Sequence, residues 1–402
     1  MSVRPVYLDN NATTKVDERV VAAMLPYFTE QFGNPSSMHA FGASVGGAVR
    51  DARGKLQRLL GSEFDHEIVF TSGGTESNNA ALLSAIEASP GRSEIITTAV
   101  EHPAILATCE HLEKTRGIKV HIIGVDARGR LDIGAYRAAL SERTALVSIM
   151  WANNETGTIN PVADLAELAK AAGALFHTDA VQAVGKVPID LKTTSIDMLS
   201  LSGHKLHGPK GIGALYVRRG VRFRSLLKGG HQERGRRAGT ENTPGIVGLG
   251  VAAEIAHANL AADMSYISGL RDRLEKGLLQ RIGKSFVTGD TANRLPNTSN
   301  IAFEFIEGEA ILLLLNRAGI AASSGSACTS GSLEPSHVLR AMGVPYTAAH
   351  GAIRFSFCRD NSAEDVDQVL NAMPGIIERL RELSPFWTEG GAATSTFQPT
   401  YA

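Results

Sequence analysis

The chain has 402 residues, more than one hydrophobic core usually serves, so its length points to about two to three domains. Apolar residues make up 43% of it and charged residues 20%, a balance that excludes general disorder. A net charge of −1 excludes a global attraction to nucleic acid or to an anionic membrane surface.

The amino terminus, "MSVRPVYLDNNATT", lacks the apolar stretch of a signal peptide and runs straight into a short strand-like segment. From about residue 43, helical and extended patterns alternate. "ASVGGAVRDARGKLQRLLG" carries apolar residues at helical spacing and ends at Gly61. "EIVF" predicts a strand, "TSGGTES" a turn, and "NNAALLSAI" a helix. "EIITTAV" predicts the next strand, and Pro103 opens the helix "PAILATCEHLEKTRG", closed near Gly117. "KVHIIGV", a helix near 132–141 and the strand "ALVSIMWA" follow. Pro161 opens "PVADLAELAKAAG", which leads into the strand "ALFHTDA"; "DMLSLSG" and "IGALYVRR" complete the series. Continuous apolar strands between helices predict an α/β fold with a largely parallel sheet covered on both faces.

From about 262 the pattern changes. A long amphipathic helix, "SYISGLRDRLEKGLLQRIG", leads to strand-like "SNIAFEFI", the helix "EAILLLLNRAG", the soft stretch "SSGSACTSGS" and strand-like "GAIRFSF". A last helix begins at Ser362, with Asp365 closing a capping box, and Pro374 interrupts it. These patterns divide the chain into a large domain, residues 16–261, and a smaller α+β domain built from 1–15 and 262–402. The end, from about 386, reads as a mobile tail. The densest apolar run, "AILLLL", is far too short to span a bilayer. Cys109, Cys328 and Cys358 have no metal-ligand spacing and cannot all pair, which predicts free thiols in a reducing, cytoplasmic setting. Cys109 and Cys358 read as buried small residues.

Polar residues recur just past the carboxyl ends of five strands: Gly73, Gly74 and Thr75; Glu101 and His102; Asn153, Asn154 and Glu155; Asp179 and Gln182; His204 and Lys205. Open α/β sheets bind ligands at that edge. "SGGTES" suits a phosphate, because glycines let backbone amides approach and a helix amino terminus favours negative charge. It reads equally well as a Thr75 helix cap. In "SGHKLHGPKG", Pro209 removes an amide donor that a phosphate loop needs. Lysines are mostly solvated surface groups, but Lys205, beside His204 at a strand end, can be the amine of a Schiff base. Asp179 alone reads as a cap. A phosphate cradle, an aspartate and a lysine on one sheet edge are, however, the groups that pyridoxal phosphate requires for its phosphate, its ring nitrogen and its aldehyde.

The segments "YLDNNATT", "GNPSSMH", "SGGTES", "EHPA", "WANNETG", "HTDAVQAVGK", "SGHKLHGPKG", "RRAGTEN" and "SGSACTSGSLEPSHV" resemble the cysteine desulfurases, class-V aminotransferase-like enzymes of pyridoxal-phosphate fold type I. "GGHQERGRRAGTEN", "EGEAILLLLN" and "VPYTAAHG" resemble the nitrogen-fixation (NifS) branch. The resemblance implies a homodimer with shared active sites, L-cysteine as substrate, and sulfur passed as a Cys328 persulfide to an iron–sulfur scaffold protein for nitrogenase maturation. It implies that Lys205 bonds the cofactor, that Asp179 pairs with the ring nitrogen, and that Gln182 binds the phenolic oxygen. His102 stacks on the ring and helps move protons. Gly74, Thr75, Ser202 and His204 bind phosphate, joined by Thr240 of the other subunit. Asn154, Asn34 and Arg354 hold the substrate, Arg354 as a two-point clamp. No resident metal is implied, beyond a transient contact of Cys328 with an iron–sulfur cluster.

The softness of "SSGSACTSGS" fits a sulfur that must reach the pocket and then an acceptor outside it. The basic run 217–237 has only Phe223 as a stacking aromatic, so a solvated face, an acidic partner or the neighbouring subunit's phosphate site reads better than nucleic acid. Two other readings stand beside the desulfurase: a selenocysteine lyase or related β-elimination or transamination enzyme, and a non-enzymatic sulfur carrier.

Overall fold

A computed structural model describes residues 4–324, 335–388 and 391–392. After a short β1 (Val6–Tyr7) come β2 (Ile68–Thr71), β3 (Glu94–Thr98), β4 (Lys119–Ile123), β5 (Thr144–Ser148), β6 (Leu175–Asp179), β7 (Met198–Ser202) and β8 (Gly213–Val217). The last seven form one sheet in the order β2-β8-β7-β6-β5-β3-β4. Strand β8 runs antiparallel to both neighbours, and the other pairings are parallel. These are the seven segments that the apolar runs predict. Every residue of β2, β3, β5, β7 and β8 is buried, as strands covered on both faces require. Edge strand β4 is more open, with Lys119 and Ile122 exposed and only Ile123 buried.

Helices cover the sheet and end where the sequence punctuates them. The helix Ala40–Leu60 stops at Gly61, whose φ of 59° suits glycine; a Cβ there would sit 2.7 Å from Asp190 Oδ1. Two expectations shift. The helix expected from about 265 starts earlier, after the Asn242 cap, and runs unbroken from Thr243 to Arg281. Its first half, through Ile246, Leu249 and Ala253, packs into the core under the sheet. Its second half, through Ile267, Leu274 and Leu278, belongs to another core. By length and composition this helix could cross a bilayer, yet half of its most apolar stretch is buried in the fold.

The second core lies over β9 (Ser285–Val287), β10 (Thr298–Phe303) and β12 (Ala352–Ser356), antiparallel in the order β12-β10-β9, while β11 (Ile320–Ala321) pairs with β1. The helix Ala363–Leu383 closes it, with the Ser362–Asp365 capping box present. Pro374 does not interrupt this helix. A proline removes the amide that would bond the carbonyl four residues back, and that carbonyl, Leu370, accepts from Arg281 Nη1 at 2.8 Å instead. Trp387, where a tail is expected to begin, packs against Phe305 and under Arg381; residues 393–402 lie outside the described ones. Cys109 and Cys358 are free and buried.

Part of the basic run 217–237 is built into the fold, while Arg219, Arg222, Arg224, Lys228 and Arg234 are exposed. Arg218 donates to three backbone carbonyls, those of Leu191, Thr194 and Ile196. Glu233 accepts both arms of Arg53 at 2.7 Å and the Phe70 amide at 3.1 Å, so this pair holds the 231–242 segment against β2. With Arg53 and Glu233 side chains 9% and 3% exposed, breaking the pair strands a buried charge. Arg53→Met is expected to lower stability by about 3–5 kcal/mol, and Arg53→Lys by less, in denaturant unfolding of the cofactor-loaded protein.

Candidate active site

The carboxyl edge of the large sheet meets the second core along a seam threaded by residues 9–14. Asn11 donates its amide to Ser356 Oγ (2.9 Å) and its side-chain Nδ2 to Thr298 Oγ1 (2.8 Å) and Asn154 O (3.1 Å). Its Oδ1 accepts from Asn297 at 2.9 Å. Thr14 closes the other side, its amide and hydroxyl donating to the His204 carbonyl. The segment thereby places two carbonyls, Asn11 O and Ala12 O, at 2.6 and 2.7 Å from Lys205 Nζ.

Lys205 sits on a single 3₁₀ turn, Gly203–Lys205, immediately after β7. It opens onto a cavity of about 330 Å³ whose lining includes Gly74, Thr75, His102, Asn154, Asp179, Gln182, Ser202, His204 and Arg354. Five strand ends therefore deliver their polar residues to one place. Thr240 and Asn34 are not there: both are exposed and away from this lining. Cys328 lies outside the described residues. Both flanks of its stretch are nonetheless fixed at the cavity wall: Ser323 pairs through its backbone with Arg354, and His337 Nε2 bonds the Glu101 carbonyl at 2.9 Å.

Asp179 ends β6 with Oδ2 accepting from Asn78 Nδ2 (2.6 Å) and Oδ1 from the Val181 amide (3.0 Å). At the start of the helix Gly74–Ala88, Thr75 is not the cap. The cap is Gly73, whose φ of 155° is one that side chains rarely adopt, and the next residue is also held to glycine: a Cβ on Gly74 would lie 2.8 Å from Val181 Cγ2. First-turn amides have no acceptor within a helix, so Gly74 and Thr75 can present theirs to an anion beside the Ser202 hydroxyl.

His102 caps the helix Pro103–Arg116, its Nδ1 accepting the Ala104 amide at 3.1 Å. An acceptor at Nδ1 puts the neutral ring's proton on Nε2. Burial lowers the His102 pKa; Asp179 works against that, and Lys205 and His337 add to it. His204 is pushed down to about 4 by burial and by Lys205, and its Nδ1 meets Thr13 Oγ1 at 3.1 Å. Both imidazoles are neutral near pH 7. Burial also raises two carboxyls: Glu101 to about 8 and Glu155, which accepts from Ser336 Oγ, to about 7. Arg354 donates Nη2 to Asp9 (2.7 Å) and Nη1 to Asn154 O (3.0 Å), leaving a buried Nε without a partner.

The donor set fits pyridoxal phosphate. A glycine-lined helix start with Ser202 suits the phosphate, Asp179 the ring nitrogen, Gln182 the phenolic oxygen and Lys205 the aldehyde. Asn11, Asn78 and Asp9 escape the sequence reading as site residues. Only their inclusion in quoted stretches such as "YLDNNATT" marks them.

The aminotransferase class-V family model matches residues 6–369. The chain is 74% identical over 397 residues to a cysteine desulfurase of Gluconacetobacter diazotrophicus, with 99% of each chain covered. It is 61% identical over 399 residues to the cysteine desulfurase NifS of Azotobacter vinelandii, covering 98% of this chain and 99% of that one. Among solved structures, a NifS-like protein superposes with a TM-score of 0.86 at 41% identity, over 94% of this chain and 99% of the other. DndA from Streptomyces lividans superposes at 0.75 with 42% identity, over 88% and 99%.

Asn11→Ala removes the partner of buried Thr298 and Asn297 groups while leaving the carbonyl that receives Lys205. The variant is expected to keep a cofactor band in the visible spectrum and to lose about 1–3 kcal/mol of stability, read by chemical denaturation of the loaded protein.

Proposed function

The chain belongs to the aminotransferase class-V family and, within it, to the pyridoxal-phosphate-dependent cysteine desulfurases; we propose how its residues divide that reaction and where the sulfur goes. The observation that carries the assignment of roles is the convergence of Lys205, Asp179 and the Gly74–Thr75 helix start on one cavity, with Arg354 on the same wall.

The substrate is L-cysteine. Arg354 and Asn154 receive its carboxylate, with Asp9 and Asn154 O fixing the guanidinium plane. Pyridoxal phosphate, when bound, supplies an electron sink for the charge that develops at the substrate Cα. Asp179, held in place by Asn78 and the Val181 amide, supports that sink from the ring nitrogen's side. The Lys205 amine takes the Cα proton at Nζ. His102, neutral with its proton on Nε2, lines the same cavity, where it would stack on the cofactor ring and serve as a second proton carrier.

Cys328 then attacks the substrate sulfur as a thiolate. A bond forms between Cys328 Sγ and that sulfur, the bond from sulfur to Cβ breaks, and its electron pair stays on the three-carbon remainder. That remainder takes up protons and leaves as alanine. The anchoring of Ser323 on Arg354 and of His337 on Glu101 supports this role, because both flanks of the cysteine stretch begin at the pocket wall.

A second copy of the chain completes the site in this reading. Leu25, Phe28, Phe32, Met38 and Phe41 are exposed between 59% and 101%, an apolar face next to Asn34 that a partner would cover. Thr240, exposed and away from its own cavity, is then free to reach the partner's phosphate. The sulfur goes to an iron–sulfur scaffold protein in the cytoplasm, for nitrogenase maturation, a reading supported by the 61% identity to the Azotobacter vinelandii NifS.

Light scattering is expected to give twice the chain mass, and a monomer would contradict the shared site. Cys328→Ala is expected to keep the visible cofactor band and lose alanine production by at least a hundredfold (about 2.7 kcal/mol or more at the barrier). Lys205→Ala is expected to lose borohydride-fixed cofactor at that position. Full sulfur release by Cys328→Ala would contradict the role given to that thiol.

A further inference from the structure

Behind Gln182, on the side away from the main cavity, a second amine reaches into the site. Lys186 Nζ donates to Gln182 Oε1 at 2.7 Å and lies 3.4 Å from Asn11 Oδ1. As a residue Lys186 is half-buried, but its ammonium end is inside, lining a small cavity of about 40 Å³ that also includes Lys205. Gly185, at φ 76°, packs against Ala256 and Leu206 and turns the chain so that Lys186 comes back under Gln182.

This contact and the Asn11 carbonyl together fix which way the Gln182 carboxamide faces. An ammonium can only donate and a backbone carbonyl can only accept. With Lys186 on one end and Asn11 O on the other, 2.9 Å from Nε2, the amide has one orientation: oxygen toward Lys186, nitrogen toward the cavity side. We propose that Lys186 is a positioning residue of the cofactor site, which locks Gln182 as a donor to the cofactor's phenolic oxygen and opposes protonation at Lys205. The proposal rests on the cofactor-binding role of Lys205 and Gln182 given above.

The charges around Lys186 agree with this. Burial lowers its pKa to about 7, followed by the cationic Lys205 and Arg354, while Cys358 acts the other way. Across the small cavity it faces His207, Asp263 and Arg359. His204, on the turn that carries Lys205, is itself lowered in part by Lys186. Both amines line that small cavity, so a positive charge on one opposes a positive charge on the other. Lys186 carries its charge below about pH 7 and loses it above, so its opposition to Lys205 is strongest on the acid side.

The test is a pH titration of the visible band of the cofactor-loaded protein, with melting curves recorded in parallel. Lys186→Met keeps the length of the side chain and removes both donor and charge. Its titration midpoint is expected to rise by about 0.5–1 pH unit, and its cofactor to dissociate several times faster. Lys186→Gln keeps a donor for Gln182 Oε1 but no charge; it is expected to restore cofactor retention and leave the midpoint high. A Lys186→Met midpoint equal to wild type overturns the proposal, and a lower melting temperature alongside it would assign Lys186 to packing alone. A wild-type protein with no visible band and no borohydride-fixed adduct at Lys205 would overturn the cofactor reading itself, and this inference with it.

Discussion

The site depends on two backbone carbonyls. Asn11 O and Ala12 O receive the Lys205 amine, and the segment that carries them is held from both sides at once. From the second core come Ser356, which accepts the Asn11 amide and whose carbonyl accepts Asn10 Nδ2, and Arg354, which pairs with Asp9. From the large sheet comes the His204 carbonyl, which takes both Thr14 donors. Lys205 is placed by β7 but oriented by a strand end nearly two hundred residues earlier in the chain. Neither core alone forms this site, and the unbroken helix Thr243–Arg281 is the element that joins them.

Around that lysine the electrostatics have one direction. Lys205 and Arg354 line the cavity with Lys186 behind Gln182, and burial keeps His102 and His204 neutral instead of adding to the charge. Buried cations are costly unless paired. Here Asp9 answers Arg354, while Gln182 accepts from Lys186 and three backbone carbonyls accept from Lys205 and Arg354. A cavity with that balance suits an anionic cofactor and a substrate carboxylate.

Much of this was legible in the sequence. The seven sheet strands are continuous apolar runs because both faces are covered, and that pattern is local. Their polar ends were legible for the same reason, since the strand length fixes where the edge falls. The details that escaped are contacts between distant residues. Asn11 looks like any polar loop residue until Thr298 and Ser356 are placed beside it. Pro374 predicts a break until Arg281 takes the carbonyl that it leaves unbonded. Gly73 and not Thr75 is the cap, and Val181, more than a hundred residues away, leaves no room for a side chain at Gly74 beside it. The resemblance to desulfurases named most of the cavity residues. It could not show that Lys186 stands behind Gln182.

The proposed reaction converges on one atom, Cys328 Sγ, and the most direct test follows the sulfur to it. Mass spectrometry of the cofactor-loaded protein after treatment with L-cysteine, without a thiol acceptor, should find the mass of one extra sulfur atom on the peptide that contains Cys328, with the peptides of Cys109 and Cys358 unchanged. Alanine formed in step with sulfur lodged on Cys109 or Cys358, or with no sulfur on the protein at all, would contradict the account.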